Sequence, residues 1–302
     1  MEATGAGGSL ASFFPSIYHY TAFLTMLQLP EDIFLHILKQ LDVDSDEPTI
    51  RNASLVSTAF REPCQKLLFS TLRLKPPKSF KSTYRYTPGA RLLRLLKSSP
   101  VIMGYIQGIT IIDSTPGSGA DQPSWLSLDG RLAEALNQLS FDKIRRFELA
   151  MEYRLHWNHL NAPIQKTILA ICRSPSLVSL SLTCAPIGLV NLCGPALKHL
   201  KLYDVGMVEL SKSVGKDSST DQGTQKAQDN PDPPIIQLES LSLHDRRNLS
   251  AVVDFILQPY PSGKLDVSSL KRLYFAPYAL SDHGQVDRLV RAHHSLPEVY
   301  LE

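Results

Sequence analysis

The chain reads as an α/β protein: three short N-terminal helices, then an irregular repeat of strands and helices that builds a parallel sheet. Two patterns in its 302 residues predict this. The first is a set of three brief helical patterns between Leu29 and Phe69, carrying more apolar surface than so small a unit can hide. The second is an apolar-x-x-apolar-x-apolar unit that recurs eight times after residue 68, with helical patterns between several copies. A hydrophobic share of 43% and a net charge of +2 describe an ordinary globular chain, long enough for more than one unit. No global basic field marks it as a dedicated nucleic-acid binder.

Residues 1–26 contain Phe13, Phe14, Ile17, Phe23 and Leu24. No basic region precedes them, and Pro15, Ser16, His19 and Tyr20 interrupt the run well short of a membrane span. A poorly ordered leader is expected, neither signal peptide nor anchor. The first helical pattern then starts cleanly. Pro30 suits a first helical position, and Glu31 and Asp32 set negative charge at the positive end of the helix dipole. Ile33, Ile37 and Leu41 recur every four residues, with Phe34 and Leu38 in a second row beside them. After the acidic turn Asp42 to Pro48, the patterns Thr49 to Val56 and Thr58 to Phe69 carry Ile50, Ala53, Leu55, Val56, Phe60, Leu67, Leu68 and Phe69.

This arrangement resembles the F-box family. Leu29 to Leu41 is close to the family's leading Leu-Pro…Ile-Leu…Leu pattern, and Ser54 to Leu74 is close to its second half. The departures are Ser57, where the family often has cysteine, and Phe60, where it usually has tryptophan. The resemblance implies F-box helices over 27–70 that dock onto the adaptor of an SCF-type ubiquitin ligase and, through it, a cullin. It makes Leu29, Pro30, Ile33, Ile37, Leu38, Leu41 and Val56 the candidate adaptor-binding residues. The overall style is most similar to fungal F-box proteins with degenerate leucine-rich tails.

The eight copies of the second pattern start at Phe69, Ile106, Ile144, Leu177, Leu197, Leu238, Leu270 and Leu296, at intervals between 20 and 41 residues. Amphipathic helical patterns lie at Ala90 to Lys97, Leu128 to Leu139, Ile164 to Cys172, Leu249 to Leu257 and Val286 to His293, so each unit reads as strand, turn, helix. The strand segment resembles the leucine-rich repeat family, although the asparagine or cysteine that usually follows it is absent. The resemblance implies, for 71–302, an irregular leucine-rich-repeat-like solenoid with a parallel sheet and helices on the outer face. A compact doubly wound α/β domain uses the same alternation and is the rival arrangement. Ser211 to Pro234 has only Val214 and Ala227 as apolar residues and is expected to be a disordered insertion, because it cannot offset its ordering entropy by burial. Asp113 to Ser124, with two prolines and two glycines, reads as a shorter loop.

Side chains alternate along a strand, so the third and fifth positions of each unit, and the one just after it, face away from the core. These positions hold Arg146 and Glu148, Ser179 and Ser181, His199, Lys201 and Tyr203, Ser240, Ser242 and His244, Arg272 and Tyr274, and Glu298 and Tyr300. The C-terminal half is richest in tyrosine and basic residues, the usual make-up of an interface hot spot. Lys201, Tyr203, His244, Arg272, Tyr274 and Tyr300 are therefore the candidate residues for binding an acidic or phosphorylated target protein.

Catalytic and metal constellations fail on inspection. Asp42, Asp44 and Asp46 imitate the start of an EF-hand, but Glu47 stands at the glycine position and Ala53 at the closing glutamate. His283, His293 and His294 lack a carboxylate or cysteine at ligand spacing. Cys64, Cys172, Cys184 and Cys193 show no paired spacing, and a reduced intracellular setting, cytoplasmic or nuclear, is expected. Seven basic residues from Lys75 to Lys97, interleaved with Phe80, Tyr84 and Tyr86, could grip nucleic acid or a phosphopeptide, or form a solvated face. The expectation is a non-enzymatic substrate receptor without cofactor, metal, membrane or nucleic-acid partner. The alternative is a repeat scaffold whose F-box-like helices only cap the solenoid.

Overall fold

A computed structural model describes residues 31–43, 45–76, 87–113, 124–152, 157–207, 235–259, 263–276, 283–292 and 298–301. The predicted leader, the insertion 211–234 and most of the loop 113–124 lie outside these residues. The chain divides into two units, Met1–Cys64 and Gln65–Glu302.

The first unit holds α1 (Glu31–Gln40), α2 (Glu47–Val56) and the start of α3 (Thr58–Leu68), inside which the division falls. The acidic turn before α2 satisfies itself: the Asp42 carboxylate accepts the Ser45 hydroxyl, and Asp46 accepts the Asp42 N–H at 2.9 Å. Pro48 occupies the first turn of α2, where its missing N–H is harmless. Ser57 is extended and ends α2, and its Oγ accepts the Ala59 N–H to begin α3. Phe34 from α1 stacks on Phe60 from α3 with ring centroids 3.8 Å apart, and Leu38, Ile50 and Cys64 are buried with it.

The second unit is built on one sheet. Its first elements are β1 (Thr71–Leu74), α4 (Pro88–Ser98), β2 (Gly108–Ile112), α5 (Trp125–Leu128), α6 (Leu132–Leu136) and β3 (Arg146–Ala150). Next come α7 (Ala162–Cys172), β4 (Ser179–Thr183), β5 (His199–Tyr203), β6 (Ile236–Gln237) and β7 (Ser240–His244). The last are α8 (Leu249–Ile256), β8 (Leu265–Asp266), β9 (Arg272–Phe275), α9 (His283–Arg291) and β10 (Glu298–Leu301). All eight repeat copies are strands of a single parallel sheet in chain order, β1-β2-β3-β4-β5-β7-β9-β10, while β6 and β8 pair separately. The order never reverses, unlike a doubly wound sheet with its switch point.

One hydrogen-bond device starts nearly every strand. The carbonyl just before a strand accepts two consecutive N–H groups from the start of the next: Ser70 from Gln107 and Gly108, Gln107 from Arg145 and Arg146, Arg145 from Val178 and Ser179. Val178, Lys198 and Glu239 continue the series to Arg272. The register that results aligns the two inward positions of every unit. Leu72, Ile109, Phe147, Leu180, Leu200, Leu241, Leu273 and Val299 form one row, and Leu74, Ile111, Leu149, Leu182, Leu202, Leu243, Phe275 and Leu301 the other. The middle members are almost fully buried, whereas Val299 on the last strand is 42% exposed.

The connections differ from the predicted pattern in three places. The helix expected over Leu128 to Leu139 is replaced by two short ones, α5 ending at Leu128 and α6 starting at Leu132, because Asp129 turns inward and accepts the Thr87 hydroxyl, the Gly89 N–H at 2.6 Å and the Arg131 N–H. Between β4 and β5 the helix is a 3-10 segment, Ile187–Leu192, and between β5 and β7 the described residues contain no α-helix. Three helices start on side-chain caps, Thr87 for α4, Ser124 for α5 and Asn161 for α7, whereas Asn248 ahead of α8 makes no such bond.

Gly89 sits where a Cβ would lie 2.4 Å from the Leu132 nitrogen. Gly89→Ala should therefore lower unfolding stability by about 1–3 kcal/mol. Gly104→Ala, with nothing within 4 Å of the added atom, should change the denaturation midpoint little.

Asp113, directly after β2 and 2% exposed, accepts the Ser124 hydroxyl at 2.5 Å. Burial pushes its carboxyl up from 3.8 to about 6, against the hydrogen bonds from Ser124 and Leu126 and with repulsion from Glu152 adding. The folded state thus holds this proton more tightly than the unfolded chain, and stability falls as pH rises from about 4 to about 6. Asp113→Asn should flatten that part of the stability curve, measured as denaturant midpoint against pH; an unchanged slope would assign it to other groups.

Candidate functional site

Each unit presents its own candidate surface. On α1 the four-residue spacing separates two rows. Phe34 and Leu38 point inward, 6% and 5% exposed, whereas Ile33 and Ile37 remain 50% and 47% exposed. Leu38, expected at the adaptor surface, is thus placed in the interior, and Leu41 is half-buried. Val56 is exposed at the end of α2, and Leu55 beside it is equally open. Leu55 was legible only as one more apolar residue in a helical pattern, since sequence does not say which side of α2 Ile50 claims. Leu29 and Pro30 lie outside the described residues.

The outward face of the sheet carries the second surface. Parallel register places Arg146, Ser179, His199, Ser240, Arg272 and Glu298 in one row and Glu148, Ser181, Lys201, Ser242, Tyr274 and Tyr300 in the next. All six target candidates fall on the neighbouring strands β5, β7, β9 and β10. Tyr203 stacks on His244 at 5.4 Å, and Tyr274 on Tyr300 at 4.7 Å. These pairs follow from register, which sets Tyr203 opposite His244 and Tyr274 opposite Tyr300. One expectation is corrected: Ser242 is not open but buried, since Lys201 and Tyr274 flank it in the row.

The electrostatics of this face are local. The Tyr300 hydroxyl donates to Glu298 at 3.2 Å, which pushes its pKa up. Burial lowers the His199 imidazole, Glu239 pulls the other way, and Arg272, Lys198 and Lys201 lower it further. At the strand starts, Glu239 accepts from both Lys198 and Lys271, and these bonds hold its carboxyl down at about 2.

Outside this face, the Cys172 thiol hydrogen-bonds with that of Cys193, which together with burial drives its pKa well up. All four cysteines are free, and among the described residues no group of three or more His, Cys, Asp or Glu is placed to hold a metal ion. His293, His294 and residues 77–86 of the basic stretch lie outside the described residues. Arg91, Arg94 and Lys97 are exposed on α4. No described helix is long and apolar enough to cross a membrane.

The first unit is thus a small helical unit whose described residues include exposed apolar side chains, and the second a parallel sheet with a polar, aromatic face. Comparison with protein families gives the first unit its class: residues 26–66 match the F-box domain. No curated protein and no solved structure matches the chain.

Proposed function

We propose that the chain is a substrate-receptor subunit of an SCF-type ubiquitin ligase. The F-box domain would bind the adaptor and, through it, the cullin, and the second unit would hold a target protein. The observation that carries the reading is the F-box match over a unit whose α1 keeps Phe34 and Leu38 inside while leaving Ile33 and Ile37 half-exposed. Val56 and Leu55 on α2 are also exposed apolar residues of this unit. The chain-order parallel sheet supports the leucine-rich-repeat-like solenoid as the target-binding domain, since stacked repeats present one continuous face. On this reading the chain performs no chemistry itself. It raises the effective concentration of a target near the ligase, in the cytoplasm or nucleus.

Ile33→Ser with Ile37→Ser tests the docking half. Complete burial of such a side chain is worth roughly 1.5–3 kcal/mol, and about half of it remains to be gained on docking. The double variant should lose about tenfold to a hundredfold in adaptor affinity in a pull-down titration, with the melting transition of the second unit unchanged. Normal adaptor capture would refute the assignment. Absence of any adaptor complex in the unaltered chain, with a lower melting temperature in the variant, would favour helices that only cap the repeats.

The target half rests on Lys201, Tyr203, His244, Arg272, Tyr274 and Tyr300. Combining Lys201→Glu, Arg272→Glu and Tyr274→Ala should remove target proteins from affinity-purified complexes while adaptor and cullin remain. Identical target sets by quantitative mass spectrometry would show that recognition lies elsewhere.

A further inference from the structure

We propose that the apolar part of the leader, Phe13 to Leu24, folds back over Ile33 and Ile37 of α1, so that the adaptor must displace a segment of this chain before it can dock. The inference rests on the reading of α1 as the docking face.

That face is short of cover. Ile33 and Ile37 stand about one helical turn apart, roughly 6 Å along the axis, and half of each remains exposed while Phe34 and Leu38 take the inward side. Of the other apolar residues described in the unit, Ile50 and Cys64 are buried with Phe34, and Leu55 and Val56 are themselves exposed. Two large apolar side chains in water favour burial against whatever apolar surface is nearest.

The segment directly before α1 has the composition to supply that surface. Residues 3–30 hold no aspartate, glutamate, lysine or arginine, yet Phe13, Phe14, Ile17, Tyr20, Phe23 and Leu24 fall close together within them. A solvated tail normally has the reverse character, poor in aromatics and rich in charge. Asp32, exposed beside the pair, would repel an acidic occupant, but this segment carries no charge to oppose it.

The tether favours this occupant over a free one. Leu24 precedes Ile33 by nine residues, about 30 Å when extended, which is several times the length of the face to be covered. A connection that short holds the segment at an effective concentration of about a millimolar without any partner being present. Adaptor affinity is then lowered by the fraction of chains in which α1 is uncovered.

The test titrates purified adaptor against three chains: the full chain, a chain lacking residues 1–24, and a full-length variant with Phe13→Ser, Phe14→Ser, Ile17→Ser, Phe23→Ser and Leu24→Ser. Both altered chains should bind adaptor more tightly, roughly tenfold, and the serine variant keeps the comparison valid if truncation disturbs folding. Limited chymotryptic digestion of the free chain reads the contact directly. Cleavage after Tyr18, Tyr20 or Phe23 should be slow in the full chain and about fivefold or more faster with Ile33→Ser and Ile37→Ser, at a rate independent of protein concentration. Equal adaptor affinity of the three chains, digestion unaffected by the α1 substitutions, or protection that grows with concentration, which would assign the cover to a second copy, would each overturn the proposal. Weaker adaptor binding without the leader would overturn it too, by making the leader part of the adaptor interface. No adaptor complex with any of the three chains counts against the docking assignment, and the digestion then decides whether the leader covers α1.

Discussion

The second unit depends on one repeated hydrogen bond. From β1 to β9 of the sheet, a carbonyl just before each strand accepts two successive N–H groups from the next, and six such carbonyls run from Ser70 to Glu239. This junction sets register before any side chain is considered. Were it to slip by one residue, every apolar pair would turn to the solvent face and every polar one to the core. Because the junction is identical each time, the rows from Leu72 and from Leu74 stay continuous, and side chains from distant parts of the chain become neighbours.

A constant junction leaves the connections free to vary. An α-helix, a pair of short helices, a 3-10 segment and a long insertion all join adjacent strands of the same sheet. Loop length costs closure entropy only logarithmically, so intervals from 20 to 41 residues are compatible with one architecture. Three buried aspartates organise the turns that follow. Asp113 holds the Ser124 cap, Asp129 binds the start of α4, and Asp245 accepts the Arg247 and Asn248 N–H groups ahead of α8. Each carboxylate replaces backbone partners that a regular element would have supplied. Cys184 and Asp204, which leave β4 and β5, adopt left-handed backbone conformations in which the chain breaks from the strand.

The two candidate surfaces use opposite physics. On α1 and α2, Ile33, Ile37, Leu55 and Val56 remain exposed while, among the described residues of this unit, Phe34, Leu38, Ile50 and Cys64 are buried. Burial against a partner would remove that cost. On the sheet, the outward residues are polar and aromatic, and charges of both signs share the face.

Much of this was legible from residue order. Two-residue alternation within apolar-x-x-apolar-x-apolar is a local property of strands, so all eight copies were found as strands; the division of inward from outward positions fails at Ser242, which is buried, and at Val299 on β10, which is exposed. Helical periodicity likewise located α1 to α4 and α7 to α9 to within a few residues. What sequence could not contain were contacts between residues far apart in it. The break between α5 and α6 exists because Asp129 finds Gly89 forty residues away. The choice of Phe34 over Ile33 as the buried row of α1 is made by Phe60 across the unit. The aromatic pairs and the row in which Arg146, His199 and Arg272 alternate with serines arise only once strands separated by loops of unequal length are aligned, because local periodicity says which way a side chain points but not which side chain stands beside it.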